Sequence, residues 1–292
     1  PFFTATIIPV SLGSIIAWYD TGNFMWPRFF LAMFGALFIH AGTNLANDYF
    51  DHLSGCDEAN TSPTPFSGGS RVIQEGFIAP KKILYVSLAS FVIGSSIGIY
   101  LNYLCGKNVI LILGIIGVFL GFFYSAKPLR IGYGSFGELA VGMGFGPLMV
   151  LGSYYVQAQN LPLKAFLISI PVGVLIACVL FINEFPDYFA DKTVGKRTLV
   201  VILGKKKAVI LYHSLLAAVY LSIIALVIFK FLPFISLIVF LSLPLALRAY
   251  ITSKNNFEKI YELLPANALT ISLHSLIGLL LSGGFLLDKL WR

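Results

Sequence analysis

The sequence predicts an all-α, polytopic membrane protein, and three observations carry that expectation. Of 292 residues, 58% are hydrophobic and only 11% charged, against about a quarter charged in an ordinary soluble domain. The hydrophobic residues fall in uninterrupted runs of about 20, the length at which a helix crosses a hydrocarbon core. The runs do not alternate in polarity, so they are not barrel strands, and lipid offers no hydrogen-bond partner to an open backbone. A secreted module and a nucleic-acid-binding module are both excluded, and the net charge of +7 is read first as membrane orientation.

Taken in order, the runs cover residues 2–23, 27–47, 82–104, 108–125, 136–158, 163–183, 208–230, 231–250 and 266–287, nine transmembrane helices in one bundle that makes residues 1–292 a single domain. The chain opens at Pro1 in an apolar stretch with no basic segment or small-residue cleavage site, so no signal peptide is expected, and a short N-terminal piece is taken to be missing. Only Lys230 and Pro233 separate the seventh run from the eighth, which leaves a re-entrant hairpin open there. Cys56, Cys105 and Cys178 show no Cys-x-x-Cys spacing, so neither a disulfide framework nor a zinc site is expected. His40, His52, His213 and His274 show no metal-ligand spacing either.

Orientation follows from the cations. Fourteen of the 20 Lys and Arg residues fall in even-numbered connections, while Arg28, Lys107, Lys164, Lys230, Lys289 and Arg292 fall on the opposite side. The positive-inside rule puts the even connections in the cytoplasm. Of the 13 acids, only Asp20 and Asp288 lie on the outer side. The two richest loops, 48–81 and 184–207, open alike: Asn44-x-x-x-Asp48-Tyr49-Phe50-Asp51 and Asn183-x-x-x-Asp187-Tyr188-Phe189-Ala190-Asp191. The match suggests a weak internal repeat of the kind that builds a site between two halves.

At about 100° per residue, Asn44, Asn47, Asp48 and Asp51 share an arc of roughly 100° on one helical face, and Asn183, Asp187 and Asp191 share about 80° of another. Carboxylates crowded this closely repel one another unless a cation is bound. Oxygen ligands without His or Cys favour Mg²⁺, which accepts one or two carboxylates and completes its shell with water and phosphate oxygens. Two facing acidic stripes could therefore hold a diphosphate through bridging ions.

Candidate phosphate contacts stand nearby. Lys192, Lys196 and Arg197 follow Asp191, and Arg71 ends Ser67-Gly68-Gly69-Ser70-Arg71. Arg suits forked contact with phosphate and Lys a point-charge contact. Lys205, Lys206 and Lys207 read as a basic run facing anionic lipid. In Tyr124-Ser125-Ala126-Lys127-Pro128-Leu129-Arg130, Lys127 can hydrogen-bond a departing diphosphate, Ser125 is a further candidate substrate contact, and Tyr124 offers a π-face to a cation. Alternatively, Tyr124 is an interfacial aromatic and Lys127 and Arg130 set topology alone.

These residues carry a resemblance. Asn47-Asp48-Tyr49-Phe50-Asp51 with Asp57 resembles the first aspartate-rich motif of the UbiA superfamily of intramembrane prenyltransferases, Asp187-x-x-x-Asp191 resembles the second, and Tyr124 to Lys127 looks like the Tyr/Lys motif. One departure is that Asp57 follows Asp51 by six residues, more than is usual in that motif, which leaves its metal role open. Ser54-Gly55-Cys56-Asp57, Gly68 to Gly76 and Gly195-Lys196-Arg197-Thr198-Leu199 are similar to the branch that prenylates dihydroxynaphthoate in menaquinone synthesis.

The resemblance implies a bundle around a central cavity capped on the cytoplasmic side. It implies one Mg²⁺ held by Asn47, Asp48 and Asp51 and another by Asp187 and Asp191, with Asn44 and Asn183 as neighbouring ligands or orienters. It also implies an allylic polyprenyl diphosphate as donor, its long tail admitted from membrane lipid, and a hydrophobic aromatic acceptor. Dihydroxynaphthoate with loss of CO₂ is the leading acceptor; O-prenylation of geranylgeranylglyceryl phosphate and a carrier for a phosphorylated or divalent-cation substrate stay open beside it.

Overall fold

The computed structural model describes residues 2–291, so Pro1 and Arg292, a cation expected on the outer side, lie outside the described residues. Among the described residues the chain is all-α, with one isolated bridge between Thr64 and Ser67 in place of any strand. The helices are α1 (Thr4–Thr21), α2 (Trp26–Ser54), α3 (Pro80–Cys105), α4 (Val109–Phe123), α5 (Gly137–Ala158), α6 (Leu163–Thr193), α7 (Lys205–Ile228), α8 (Phe234–Asn256) and α9 (Ile260–Trp291).

Local chemistry sets many of the boundaries. Proline sits in the first turn of α2 and α3, where its missing N–H costs nothing. Gly22 and Gly55 close α1 and α2 at φ +76° and +75°, the left-handed conformation that lets the next N–H turn back onto the last carbonyls. α5 widens to a π-helical turn over Gly144–Leu148 around Pro147, and α8 begins with the tighter 3₁₀ winding over Phe234–Ser242. Between the seventh and eighth runs the chain turns directly from one helix into the next.

Seven of these helices, α2, α3 and α5 to α9, are long and apolar enough to cross a bilayer, fewer than the nine spans expected. α4 has 15 residues and reaches about 22 Å against a hydrocarbon core of about 30 Å. α1 is diluted by Thr4, Thr6, Ser11, Ser14 and Asp20. A second difference bears on function. The expected loops at 48–81 and 184–207 start late, because α2 runs on to Ser54 and α6 to Thr193. The acidic stripes therefore lie on continuous helix.

α6 lies at the centre, with Ile168, Leu175, Phe181, Ile182 and Phe185 fully buried. Lipid tails are as apolar as these side chains, so close helix contact rather than escape from water must hold the bundle. Small residues supply it. A Cβ on Gly173 would sit 2.6 Å from the Gly142 carbonyl oxygen, and one on Gly13 would sit 2.1 Å from Ser153 Oγ and 2.3 Å from the Val150 carbonyl oxygen. Gly13→Ala is expected to push α1 off α5 and cost about 1–3 kcal/mol. Thermal unfolding in detergent checks this, with Gly283→Ala as the control, since nothing lies within 4 Å of a Cβ there; equal melting temperatures would remove the packing argument.

At one end Asp20 is held by Lys164 Nζ at 2.6 Å and Tyr154 OH at 3.1 Å, and the Gln157 side chain accepts from the Met25 N–H at 2.7 Å. At the other end the connections 55–79, 124–136 and 194–204, with short helices Cys56–Ala59 and Leu199–Leu203, close over the ends of α2 and α6.

Candidate active site

The extension of α2 and α6 brings the two acidic stripes face to face beneath those connections. Asp51, 7% exposed, is the most heavily bonded. Its Oδ1 accepts from Tyr133 OH at 2.7 Å, and its Oδ2 accepts from Lys196 Nζ at 3.0 Å and Asn47 Nδ2 at 3.3 Å. Lys196 Nζ also lies 3.5 Å from Asp191 Oδ1 and 4.6 Å from the Tyr133 ring centroid. One ammonium thus ties the first stripe to the second. Burial works against that charge, but Asp51 and Asp191 outweigh it and hold the Lys196 pKa well above that of a free lysine. Burial first, then the Asp51 charge, pushes the Tyr133 hydroxyl up, so it stays protonated and donates.

The remaining carboxylates each have a neutral donor. Asp187 Oδ1 accepts from Asn60 Nδ2 at 2.7 Å, Asp191 Oδ1 from Cys56 Sγ at 3.4 Å, and Asp48 Oδ1 from the Ser70 N–H at 3.3 Å. Burial pushes the Cys56 thiol up, so it remains a donor. Asp57 is buried, and its Oδ2 accepts from Gln74 Nε2 at 3.4 Å. Burial, then the charges of Asp51 and Asp48, push its carboxyl up to about 8. Its distance along the chain from Asp51 does not separate it in space. A Cβ on Gly69, which sits at φ +70°, would lie 2.9 Å from Asp57 Oδ2 and 3.3 Å from Asp48 Oδ1, so the two carboxylates converge on a space that only glycine leaves free.

That convergence is the test of fit for a metal. Among the described residues no three His, Cys, Asp or Glu side chains form a ready cage. Mg²⁺ needs no such cage, since one or two carboxylates with water and phosphate oxygens suffice. All-oxygen donors, a carboxyl raised by burial and then by its neighbours' charge, and a cradle that a Cβ would fill suit that ion.

The cations divide into two groups. Lys196 is on the carboxylates, and Arg71, at φ +62°, turns its guanidinium onto the Asp57 carbonyl at 3.1 Å. Lys127, Lys192 and Arg197 are exposed at the same end; Lys192 lies 5.9 Å from the Tyr188 ring centroid, and the Arg197 backbone N–H donates to the Tyr133 carbonyl at 2.8 Å. Ser125 is buried and accepts from Asn47 Nδ2 at 2.7 Å, so it orients an amide of the first stripe. His52 is paired with Glu58 at 2.5 Å, away from the carboxylates of the stripes.

Below the aspartates opens a cavity of about 790 Å³. Its mouth carries Asn44, Asn47, Tyr124 and Asn183; deeper its lining is mostly apolar, with Gly98, Gly114 and Gly117 and the polar side chains of His40, Thr43, Ser95 and Ser153 among them. Asn183 is fixed by Asn267, whose Nδ2 donates to it at 2.8 Å. Gly132 admits the Tyr124 ring, since a Cβ there would lie 2.5 Å from it. Burial, then the Glu184 and Glu138 charges, pushes the Tyr124 hydroxyl well up, so it is neutral.

Sequence reasoning missed Tyr133, Asn60, Cys56 and Asn267. Each reaches a motif residue from a different part of the chain, and no spacing announces such a contact. Cys56 and Asn60 had a signal, one directly before Asp57 and the other three residues beyond it.

A model described as the UbiA prenyltransferase family matches residues 6–273. The chain is 32% identical to the 1,4-dihydroxy-2-naphthoate octaprenyltransferase of Bacillus subtilis over 288 residues, 98% of this chain and 89% of that one. Its fold is similar to that of a UbiA homologue from Aeropyrum pernix K1, with a TM-score of 0.70 and 16% identity over 98% of this chain and 97% of that one. It is also similar to a UbiA homologue from Archaeoglobus fulgidus bound to GPP and Mg²⁺, with a TM-score of 0.68 and 15% identity over 96% of each chain.

Proposed function

Because the chain belongs to the UbiA prenyltransferase family, matched across residues 6–273, we propose that it transfers a polyprenyl group from an allylic diphosphate to dihydroxynaphthoate with loss of CO₂. The full-length likeness to the Bacillus subtilis octaprenyltransferase supports the acceptor. The single observation that carries the mechanism is the meeting of two aspartate stripes over an apolar cavity.

In this reading residues 1–292 work as one domain, all nine helices lie in the bilayer as one bundle, and the capped end faces the cytoplasm. Asn47, Asp48, Asp51 and Asp57 hold one Mg²⁺, and Asp187 and Asp191 another. Bound there, Mg²⁺ would draw charge from the diphosphate so that the allylic C–O bond ionises. The chain's own groups do the rest. Lys127, Lys192 and Arg197 attract the diphosphate to the mouth, and Arg71 and Lys196 neutralise charge as it leaves. Asn44 and Asn183 orient the head of the donor. The apolar cavity takes the isoprenoid tail and keeps water from the allylic cation, while the neutral Tyr124 ring faces that cation at the mouth. The acceptor's electron-rich ring carbon then attacks.

Purified protein in nanodiscs with Mg²⁺, geranylgeranyl diphosphate and dihydroxynaphthoate is expected to release diphosphate and form a prenylated naphthoquinol without the acceptor carboxylate, and EDTA is expected to stop both. Product with geranylgeranylglyceryl phosphate alone would change the acceptor and keep the chemistry. Substrate-driven uptake into liposomes without any product would replace the enzyme by a carrier.

A further inference from the structure

Among the described residues, only two titratable side chains line the cavity, Tyr124 at its mouth and His40 deeper in. The hydrocarbon tail of the donor needs no polar group at that depth, and an ionisable residue inside a membrane is costly enough to call for a function. At 1.5 Å per residue, Asn44 lies about 6 Å and His40 about 12 Å along α2 from Asp48. His40 is thus within the reach of a bicyclic aromatic that meets the donor's allylic carbon below the aspartates.

Its hydrogen-bond network fixes which hydrogen it offers. Thr6 Oγ1 lies 2.7 Å from His40 Nδ1. Thr6 is fully buried, and its hydroxyl has no other hydrogen-bond partner among the described residues. If Nδ1 donated to Thr6, the hydroxyl hydrogen would be left buried without an acceptor, which is costly. The assignment that satisfies both groups has Thr6 donating to Nδ1, so the ring hydrogen is on Nε2. Phe3 and Phe145 hold the ring plane edge-on, with centroids at 5.5 and 4.8 Å. Nε2 has no protein partner among the described residues, and it is not sealed in, unlike both ring nitrogens of His274, which are closed off without a partner. A preset N–H is therefore left without a protein partner on a ring that lines the cavity.

We infer that His40, oriented by Thr6, is the specificity-determining contact for the second substrate, donating its Nε2–H to an oxygen of a hydroxylated aromatic acid. This rests on the acceptor reading above and adds the residue that enforces it. An aromatic lacking oxygen at that position would leave a buried N–H unpaired, the arrangement by which a polar site rejects an apolar analogue.

The test measures KM for dihydroxynaphthoate and for geranylgeranyl diphosphate in the parent and in His40→Phe, His40→Gln and Thr6→Val. His40→Phe is expected to raise the acceptor KM about tenfold or more while the donor KM stays within about twofold. His40→Gln, whose amide nitrogen can stand close to Nε2, should recover most of that loss, and Thr6→Val, which keeps the shape of the residue, should fall between. Those results would support the assignment. An unchanged acceptor KM in His40→Phe, equal rises for both substrates, or Gln as damaging as Phe would overturn it in favour of a packing role. If His40→Phe does not fold, Thr6→Val decides, and a parent acceptor KM in that variant overturns the inference. A parent that makes no product from dihydroxynaphthoate overturns the acceptor reading and this inference together.

Discussion

Asp51→Asn abolishes turnover while leaving the helical bundle folded: that is the largest effect expected of any single substitution in this protein. The change removes one negative charge and places an NH₂ where one of two oxygens now accepts from Lys196, Tyr133 and Asn47. Turned towards Lys196 and Asn47, the amide NH₂ meets two donors; turned the other way, it needs only a reversal of the Tyr133 hydroxyl, which then donates to Ser54 Oγ, so the fold is kept and the charge is lost. The first stripe then cannot share a divalent cation with a diphosphate, and transition-state charge goes uncompensated. Loss of a single preorganised electrostatic contact typically costs about 10²–10³ in rate, and loss of a metal ligand should cost at least that. Product formation under saturating Mg²⁺, with circular dichroism to verify helix content, checks the expectation. Activity within a few-fold of the parent would remove Asp51 from the metal site.

The second large effect is on stability and belongs to Lys196→Met. Lys196, Asp51 and Asp191 have side chains 11%, 10% and 5% exposed, so the ammonium and its two carboxylates are a buried network. Removing one partner from such a network leaves uncompensated charge in the interior, which costs about 3–5 kcal/mol. Met keeps the length of the side chain and loses the cation. In EDTA the variant is therefore expected to melt well below the parent. Added Mg²⁺ should stabilise the variant more than the parent, because a divalent ion can supply the missing charge, whereas in the parent it must displace Lys196 from the same oxygens. Equal melting temperatures in EDTA, or equal Mg²⁺ increments, would mean that Lys196 does not hold the two stripes together.

Much of the site was legible because it is periodic. Asn47, Asp48 and Asp51 on one helix, and Asp187 and Asp191 on the other, share faces by the geometry of the α-helix alone. The apolar runs located the helices for the same reason. Their ends were read less well, since α2 and α6 continue past the ends of the uninterrupted apolar runs, at 47 and 183, to Ser54 and Thr193. Backbone hydrogen bonds propagate through Asp48 and Asp187, and those carboxylates find donors in the site, the Ser70 N–H and the Asn60 side chain.

The all-α class, the acidic stripes, the oxygen-only donor set and the family are all properties of residue type and local spacing, and the sequence determined them without help. Tertiary structure alone decided that Lys196 would join Asp51 to Asp191, that Tyr133 would complete Asp51, that Asp57 would converge with Asp48 and that His40 would face the cavity. The physical reason is range. Helical periodicity relates residues three or four apart, whereas these contacts join segments as far as 145 residues apart, which meet only when glycines such as Gly13, Gly69 and Gly173 let the chain pack closely enough.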